Sequence, residues 1–404
     1  MPDAAVHDEA GARLHEALAR RTHANERFFA AQAPALARLC HRMAERFARD
    51  GRLIALGSSP AARSDARHVA VEFVHPVIVG KRALPALALT GARHELAQEV
   101  GLLARPDDIA IAYGVESDGG AAAAALARAR ERGCLTIAFA PCGAEWEFAP
   151  PVPEPPIRQE LVETLYHVLW ELVHVFFEHR GLLEGRTARP THDAGASSFL
   201  YPFLGERERE LDPVLEDVRR SVLMKAGEIG ALREQTLTDN HVALQEAAAA
   251  LRTSFTRGGK LLALGNGGSA TDAMDVVADF RAPGSDGMAP GRPAIDLTED
   301  PAILTAIAND IGTDAIFSRQ VIAYGAAGDA LLALSTSGNS TNIIEALAQA
   351  RRREVVTIAL VGYDGGRVAA EGLADHVIVT RSEHIPRIQE AQASAYHVLR
   401  ELVG

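Results

Sequence analysis

Hydroxyl groups that could hold a phosphate are concentrated in residues 335–340, with the sequence Ser-Thr-Ser-Gly-Asn-Ser. An apolar run at 330–334 precedes this stretch, and helical spacing follows it. A phosphate monoester needs several donors converging on three oxygens, and a helix N-terminus adds free N–H groups and a positive dipole end. One hydroxyl here would fit an ordinary N-cap. Four favour anion binding, and they belong to Ser335, Thr336, Ser337 and Ser340.

A second possible anion site is the glycine-rich turn at residues 265–269, Gly-Asn-Gly-Gly-Ser. It joins four unbroken apolar residues, typical of a strand buried on both faces, to a helical pattern. This combination predicts a phosphate cradle, and an ordinary tight turn is the alternative. Neither a Walker loop nor a GxGxxG pattern is present, so we expect no nucleotide cofactor. The candidate binding residues in the turn are Asn266, Gly267, Gly268 and Ser269.

Side chains that could bind a metal or move protons occur in two matching sets. The first set is His68, Glu72, Gln159 and His167, and the second is Asp275, Asp279, Gln389 and His397. In each set the first two residues are four apart and the last two are eight apart, so each pair lies on one face of a helix. Imidazole, carboxylate and amide groups are plausible zinc ligands. The alternative is that these are ordinary helix residues.

The two sets belong to two copies of one sequence pattern. Residues 51–57 (GRLIALG) are repeated at 259–265 (GKLLALG), and residues 166–173 are repeated at 396–403. Two alanine-rich helical segments precede each first strand, at about 8–50 and 207–257. Further strand-like runs alternate with helical ones at 86–89, 109–113, 135–139, 294–297, 330–334 and 355–360.

This alternation is typical of an α/β fold with a parallel sheet and right-handed crossovers. The sequence therefore predicts two fused copies of one domain. We place the first domain at 1–180 and the second at 206–404. The linker at 181–205 contains Pro190, Gly195 and Pro202.

Several separated motifs in the second copy resemble the sugar isomerase (SIS) family, specifically its sedoheptulose-7-phosphate isomerases. They are GNGGS, Asn309-Asp310, the residues IFSR at 316–319, STSGNS, the residues RIQE at 387–390, and His397. The resemblance covers residues 210–404. It implies three-layer αβα domains, each with a parallel five-stranded sheet, assembled as a tetramer. A homodimer of this tandem chain would reproduce that assembly as a pseudo-tetramer.

The resemblance also implies roles for individual residues. In the family the serine loop holds the sugar phosphate, and a helix-borne His and Glu lie with a Gln and a second His, often around zinc. The implied substrate-binding set adds Asn309, Asp310, Arg387 and Gln389 to the two loops. The implied metal ligands are His68, Glu72, Gln159 and His167, and the equivalents in the second copy depart from the family because Asp275 and Asp279 replace His and Glu.

The two copies have diverged in opposite directions. In the first copy, Gly114-Val115-Glu116 stands where the second has Ser335-Thr336-Ser337, and a carboxylate there would repel a phosphate. The first copy keeps the family's metal and catalytic side chains, whereas the second keeps the phosphate loops. One hypothesis is therefore a shared site, with phosphate on the second copy and acid, base and metal on the first. The competing hypothesis confines the site to the second copy, with Asp279 and His397 acting.

The implied reaction is aldose–ketose isomerisation of a phosphosugar, most specifically sedoheptulose 7-phosphate to D-glycero-D-manno-heptose 7-phosphate. It proceeds through an enediol and needs a base near neutrality and an acid. We assign Glu72 and His167 to these roles, with their order open. A different class also fits a tandem chain with one degenerate loop, namely a non-catalytic regulator that senses sugar phosphates.

Composition limits the other possibilities. The 404 residues are 48% hydrophobic with a formal net charge of −12, which suits two domains of ordinary size and argues against nucleic acid or anionic membrane as a partner. The three cysteines, Cys40, Cys134 and Cys142, are unpatterned, so a disulfide framework is not expected. We see no signal-peptide pattern or membrane-length apolar run and expect a cytoplasmic enzyme.

Overall fold

The computed structural model describes residues 3–78, 81–178, 183, 210–284 and 290–404. The chain divides into two compact units, which are Ala24–Gly227 on the one hand and Met1–His23 with Glu228–Gly404 on the other. We call them the first and the second unit. Apart from Leu183, the predicted linker at 181–205 lies outside the described residues.

The first unit contains a parallel five-stranded sheet in the order β2-β1-β3-β4-β5. Its strands are β1 (Leu53–Leu56), β2 (Ala86–Leu89), β3 (Ile109–Ala112), β4 (Leu135–Ala138) and β5 (Trp146–Glu147). The helices of this part of the chain are α1 (Asp3–Ala48), α2 (Pro60–Val74), α3 (Leu96–Leu103), α4 (Ala121–Glu131) and α5 (Pro155–Glu178).

The second unit has a sheet of the same topology, in the order β7-β6-β8-β9-β10 and again parallel. Its strands are β6 (Leu261–Leu264), β7 (Ala294–Asp296), β8 (Ala330–Ser335), β9 (Val356–Gly362) and β10 (His376–Thr380). The helices of this part of the chain are α6 (Leu211–Asp239), α7 (His241–Thr256), α8 (Gly268–Arg281), α9 (Pro301–Asp310), α10 (Ser318–Tyr324), α11 (Thr341–Arg352), α12 (Gly366–Ala370) and α13 (Ile385–Val403), with a 3₁₀ turn at Thr313–Ala315. The residues of α6 up to Gly227 belong to the first unit.

Each central strand is buried on both faces, and alternate residues belong to different cores. In β6, Leu261 and Ala263 face a core that includes residues of α7, α8 and α13, whereas Leu262 and Leu264 face a core that includes residues of α11. The same alternation occurs in β1, where Leu53 lies in one core and Ile54 in the other. This follows from the two-residue period of a strand. The predicted three-layer αβα fold, with a five-stranded parallel sheet in each copy, is confirmed.

One prediction about the helices is wrong. Two helical segments were expected at about 8–50, but α1 runs unbroken from Asp3 to Ala48, with Pro34 inside it. In the second copy the expected break exists at Asn240, between α6 and α7. There the Asn240 side chain donates to the carbonyl of Val379 and accepts from its N–H, at 3.0 and 2.9 Å. These two bonds fix the turn between α6 and α7.

Both units include helical residues that lie far from their sheets in sequence. Leu14 and Ala17 of α1 lie in the same core as Leu244 and Leu399 of the second unit. Val218 of α6 lies in the core of the first unit. Within the described residues, no helix has both the length and the apolarity needed to cross a membrane.

Candidate active site

The glycine turn and the serine loop are neighbours in the second unit, because each follows one of two paired strands. β6 and β8 pair in parallel, with Leu264 opposite Ala333, so the two turns leave the same edge of the sheet. The side chains of Asn266 and Asn342 exchange two hydrogen bonds, at 3.0 and 2.9 Å, and link the glycine turn to the first turn of α11, which follows the serine loop. We call residues 265–269 together with 335–340 the anion cradle.

Glycine is required at two positions of the anion cradle. A Cβ atom on Gly265 would lie 2.1 Å from the carbonyl oxygen of Ser269. Gly338 has a φ of +62°, and its Cβ would lie 2.2 Å from the carbonyl oxygen of Gly365. Both turns can therefore pass close to other backbone only because these residues have no side chain.

The hydroxyls of the serine loop shape the loop and keep donors available. Ser335 Oγ accepts a hydrogen bond from Gly338 N at 3.1 Å, and Ser337 Oγ accepts one from Asn339 N at 3.2 Å. A hydroxyl that accepts still has its own proton to donate. Ser340 is the N-cap of α11, but its side chain makes no capping bond in the described structure. The ordinary N-cap interpretation therefore does not account for Ser340.

The N-terminus of α8 is also left without a side-chain cap. Its N-cap is Gly267, with a φ of 58°, and Gly268 begins the helix. Ser269 is buried, and the hydroxyl of Thr271 donates to the carbonyl of Gly268. Two helix N-termini without side-chain caps at one sheet edge form a favourable environment for an anion.

The remaining predicted substrate-binding residues lie at two other places in the second unit. Asn309 and Asp310 are exposed at the end of α9, where Asn309 Nδ2 donates to Asp310 Oδ1 at 2.7 Å. Arg387 and Gln389 are buried near the start of α13, and Arg387 pairs with Glu390 at 2.8 Å. Their contact with a substrate stays a prediction.

In the second unit, α8 directs three carboxyl groups towards α13. Asp275 Oδ2 accepts from the Tyr396 hydroxyl at 2.8 Å and lies 3.3 Å from His397 Nε2. Burial raises the pKa of Asp279 to about 6, with His397 lowering it and Asp275 raising it further. Burial also raises the pKa of Asp272, with Asp275 adding to the effect. Asp279 therefore changes charge close to neutrality beside an imidazole, which suits a proton-transferring group.

In the first unit, α2 and α5 bring the two predicted histidines together. The Nε2 atoms of His68 and His167 are 3.3 Å apart, and Glu72 Oε1 lies 3.9 Å from His68 Nε2. Gln159 Nε2 donates to Asp65 Oδ1 at 3.2 Å and to Glu163 Oε2 at 3.4 Å.

Sequence reasoning missed Glu163. A carboxylate oxygen of Glu163 and one ring nitrogen each of His68 and His167 lie within 4.8 Å of one another, and all three residues are buried. The available signal was spacing, because Glu163 is four residues after Gln159 and four before His167. It was overlooked because it does not match the family's set of ligands.

The turn after β3 in the first unit differs from the serine loop, as the sequence indicates. Glu116 in this turn pairs with Arg158 at 2.8 Å. Both residues line a cavity of about 260 Å³, whose wall also includes Asp65, Tyr113 and Gln159.

In the turn after β1, a Cβ on Gly57 would meet the carbonyl of Ala62, five residues later, whereas a Cβ on Gly265 would meet the carbonyl of Ser269, four residues later. The first copy thus has one extra residue between the strand and the helix.

Comparison with known proteins agrees with this architecture. A SIS domain family model matches residues 226–362. The phosphoheptose isomerase of Vibrio cholerae is 42% identical over 190 residues, which cover 46% of this chain and 96% of the relative. The chain belongs to the SIS-domain isomerases. Another member of this family, the phosphoheptose isomerase of Thermodesulfovibrio yellowstonii, is 41% identical over 172 residues, covering 43% of this chain and 84% of its own length.

A solved structure matches nearly the whole chain. It is the C-terminal domain of glucosamine-fructose-6-phosphate aminotransferase from Francisella tularensis, with a TM-score of 0.60 and 10% identity. The match covers 97% of this chain and 94% of that one. At this identity the likeness shows that the tandem SIS fold extends over both units, and nothing about activity.

Proposed function

We propose that this SIS-domain isomerase interconverts sedoheptulose 7-phosphate and D-glycero-D-manno-heptose 7-phosphate through an enediol intermediate. The observation that carries the proposal is the anion cradle, in which two glycine-dependent turns at one sheet edge combine hydroxyls with helix N-termini that have no side-chain caps. The phosphoheptose isomerase relatives support this substrate.

The phosphate would be held by local groups. With a net charge of −12, the chain as a whole does not attract anions. Backbone N–H groups at the starts of α8 and α11 and the hydroxyls of Ser335, Thr336, Ser337 and Ser340 would supply the hydrogen bonds. A substrate that is bound through its phosphate keeps its reacting carbons at a fixed distance from the acid and the base.

The proton transfer needs a base beside the carbonyl carbon and an acid for the oxygen. Glu72 with His167 in the first unit and Asp279 with His397 in the second are the two candidate pairs. Comparing Glu72→Gln with Asp279→Asn decides between them, because the variant that removes the acting carboxylate should lose at least about 100-fold in kcat. The other variant should retain activity near that of the wild type.

Zinc is the metal proposed for the first unit. Imidazole nitrogens and a carboxylate are suitable zinc donors, and His68, His167 and a carboxylate are brought together there. Gln159 Oε1 is buried without a hydrogen-bond partner among the described residues, so it is also available as a ligand. When bound, zinc would supply a Lewis acid able to polarise a carbonyl.

The proposal is tested by incubating the purified chain with sedoheptulose 7-phosphate and following the heptose product by NMR. Ser337→Ala should raise KM at least about tenfold, because it removes a donor to a charged group. Thr253→Ala, which removes an exposed hydroxyl on α7, is the matched control and should behave as the wild type. Absence of product from the wild type, with and without added zinc, would refute the proposed reaction.

A further inference from the structure

We infer that Glu163 is a ligand of a divalent metal ion, together with His68 and His167, in the first unit. This assigns a role to a residue outside the set of metal ligands expected for the family. It rests on the proposal that the first unit binds zinc, but it does not require that the chain isomerise any sugar.

The spacing of the two imidazoles suits one shared metal ion. Their Nε2 atoms are 3.3 Å apart, and the ring planes are inclined at 77°. Two nitrogens bound to one tetrahedral zinc at about 2.0–2.1 Å lie about 3.3–3.4 Å from each other. A direct N–H···N hydrogen bond between the rings would also bring them close, so the third donor matters.

Glu163 supplies this third donor from the same helix face as His167. The two residues are one turn apart on α5, and a ligand oxygen of Glu163 lies within 4.8 Å of the ligand atoms of both histidines. Gln159, one turn earlier, donates to Glu163 Oε2 and so helps to orient the carboxylate. Hydrogen bonds of this kind from neighbouring residues are usual around metal ligands.

The burial of the three side chains favours a positive charge between them. His68, Glu163 and His167 are exposed by only 2%, 0% and 0%. A buried carboxylate is costly unless a positive charge compensates it. A divalent cation held by two imidazoles and one carboxylate would add a positive charge where the three donors meet, alongside the contacts that these residues make within the chain.

The described residues of the second unit lack this arrangement. At the position equivalent to Glu163 it has Ala393, four residues after Gln389 and four before His397. His397 lies 3.3 Å from Asp275, which also binds the Tyr396 hydroxyl. Among the described residues, the first unit alone brings three such ligand atoms within 4.8 Å. One metal ion per chain is therefore expected.

The test measures zinc binding without any substrate. Wild-type chain stripped with a chelator and titrated with zinc should bind about one equivalent, measured by mass spectrometry of the metal and by competition with a chromophoric chelator. Glu163→Gln keeps the shape of the side chain and should weaken binding more than about 100-fold, beyond the effect of losing an outer-shell partner. Glu163→His offers a new nitrogen donor and should bind more tightly than Glu163→Gln.

Glu131→Gln is the matched control, because Glu131 is an exposed carboxylate of the same unit, paired with Arg128. It should bind zinc as the wild type does. Circular dichroism of each apo variant verifies that the fold is intact. Wild-type affinity in Glu163→Gln would overturn the inference, as would a wild-type chain that binds no zinc. A chain that binds zinc through Glu163 but isomerises nothing would refute the proposed function and leave this inference standing.

Discussion

At the residue scale, the raised pKa of Asp279 has a consequence for stability. The folded-state pKa is about 6 against an ordinary value of 3.8. The folded chain therefore binds more protons than the unfolded chain between these values, so this group's stabilising contribution is present below about pH 4 and lost as the pH rises through about 6. At neutral pH the buried charge lowers the free energy of unfolding, by at most about 3 kcal/mol.

Asp279→Asn should thus be more stable than the wild type at pH 7 and equally stable at pH 4. Urea unfolding of the two proteins at both pH values measures the difference. Asp314→Asn, at an exposed position in the 3₁₀ turn, is the control and should change stability at neither pH. Equal gains for Asp279→Asn at pH 4 and pH 7 would contradict the ionisation argument.

The pH dependence of catalysis depends on the same group if the second unit supplies the base. The value of kcat/KM should then fall as the pH drops below about 6, because protonated Asp279 cannot accept a proton. Asp279→Asn should abolish most of the activity, and the activity that remains should no longer fall below about pH 6. A wild-type profile that is flat between pH 5 and 8 would exclude Asp279 as the base.

Glu163 illustrates what residue-level reasoning could and could not find. His68 and His167 stand out because histidine is uncommon and their spacing matches a known pattern. A glutamate in the middle of a helix is ordinarily a solvent-exposed residue. Its spacing from His167 can be read from the sequence, but only the packing of α2 against α5 brings its carboxylate to His68, and periodicity within one helix contains no information on the partner helix.

At the element scale, the serine loop should tolerate a glycine-to-alanine substitution less well than other tight turns do. Gly338→Ala adds a Cβ that would lie 2.2 Å from a carbonyl oxygen at a φ of +62°. Gly372→Ala has a similar φ of +60° but nothing within 4 Å of the added atom. The second substitution should cost only about 1–2 kcal/mol of stability, because of its backbone conformation.

Gly338→Ala should cost more stability than Gly372→Ala and should also raise KM for the phosphosugar at least about tenfold, since the loop must move. Thermal unfolding and steady-state kinetics on both variants test this. Similar KM values for the two variants would show that the loop geometry does not control phosphate binding.

The strands were the elements most readily predicted. Unbroken apolar runs such as residues 261–264 indicated buried strands, and all the expected runs form strands. The fifth strand of each sheet was not located individually. β5 contains only two residues, and β10 is only partly buried, so neither has the continuous apolar pattern of a central strand.

At the scale of the whole molecule, the N-terminal part of α1 should stabilise the second unit. Leu14 lies in the core that includes Leu244 and Leu399, and Arg21 pairs with Glu401 at 2.8 Å. Leu14→Ala should lower the free energy of unfolding by about 2–5 kcal/mol, as for other buried leucines. Leu102→Ala, at a side chain that is 75% exposed, should change it by less than about 0.5 kcal/mol.

Hydrogen exchange locates the effect of Leu14→Ala. Exchange should increase in α7 and α13, whose residues share the core with Leu14, and not in β1 and β3 of the first unit. An increase confined to the first unit would contradict this packing. The sequence could predict that α1 has a buried face but not which sheet that face covers, because amphipathicity does not identify the partner.

The assembly proposed for the chain is a homodimer that reproduces a four-domain SIS arrangement. Light scattering after gel filtration should then give twice the 43.0 kDa of one chain. A mass equal to that of one chain at micromolar concentration would refute this assembly, and it would leave the anion cradle unaffected.

The membership of Leu14 and Ala17 in the core of the second unit also bears on how the chain folds during synthesis. They are translated hundreds of residues before their core partners at 395–403. Domains ordinarily fold as units in the order in which they emerge. Leu14 and Ala17 must therefore remain without part of their core until α13, the last helix of the second unit, has been made.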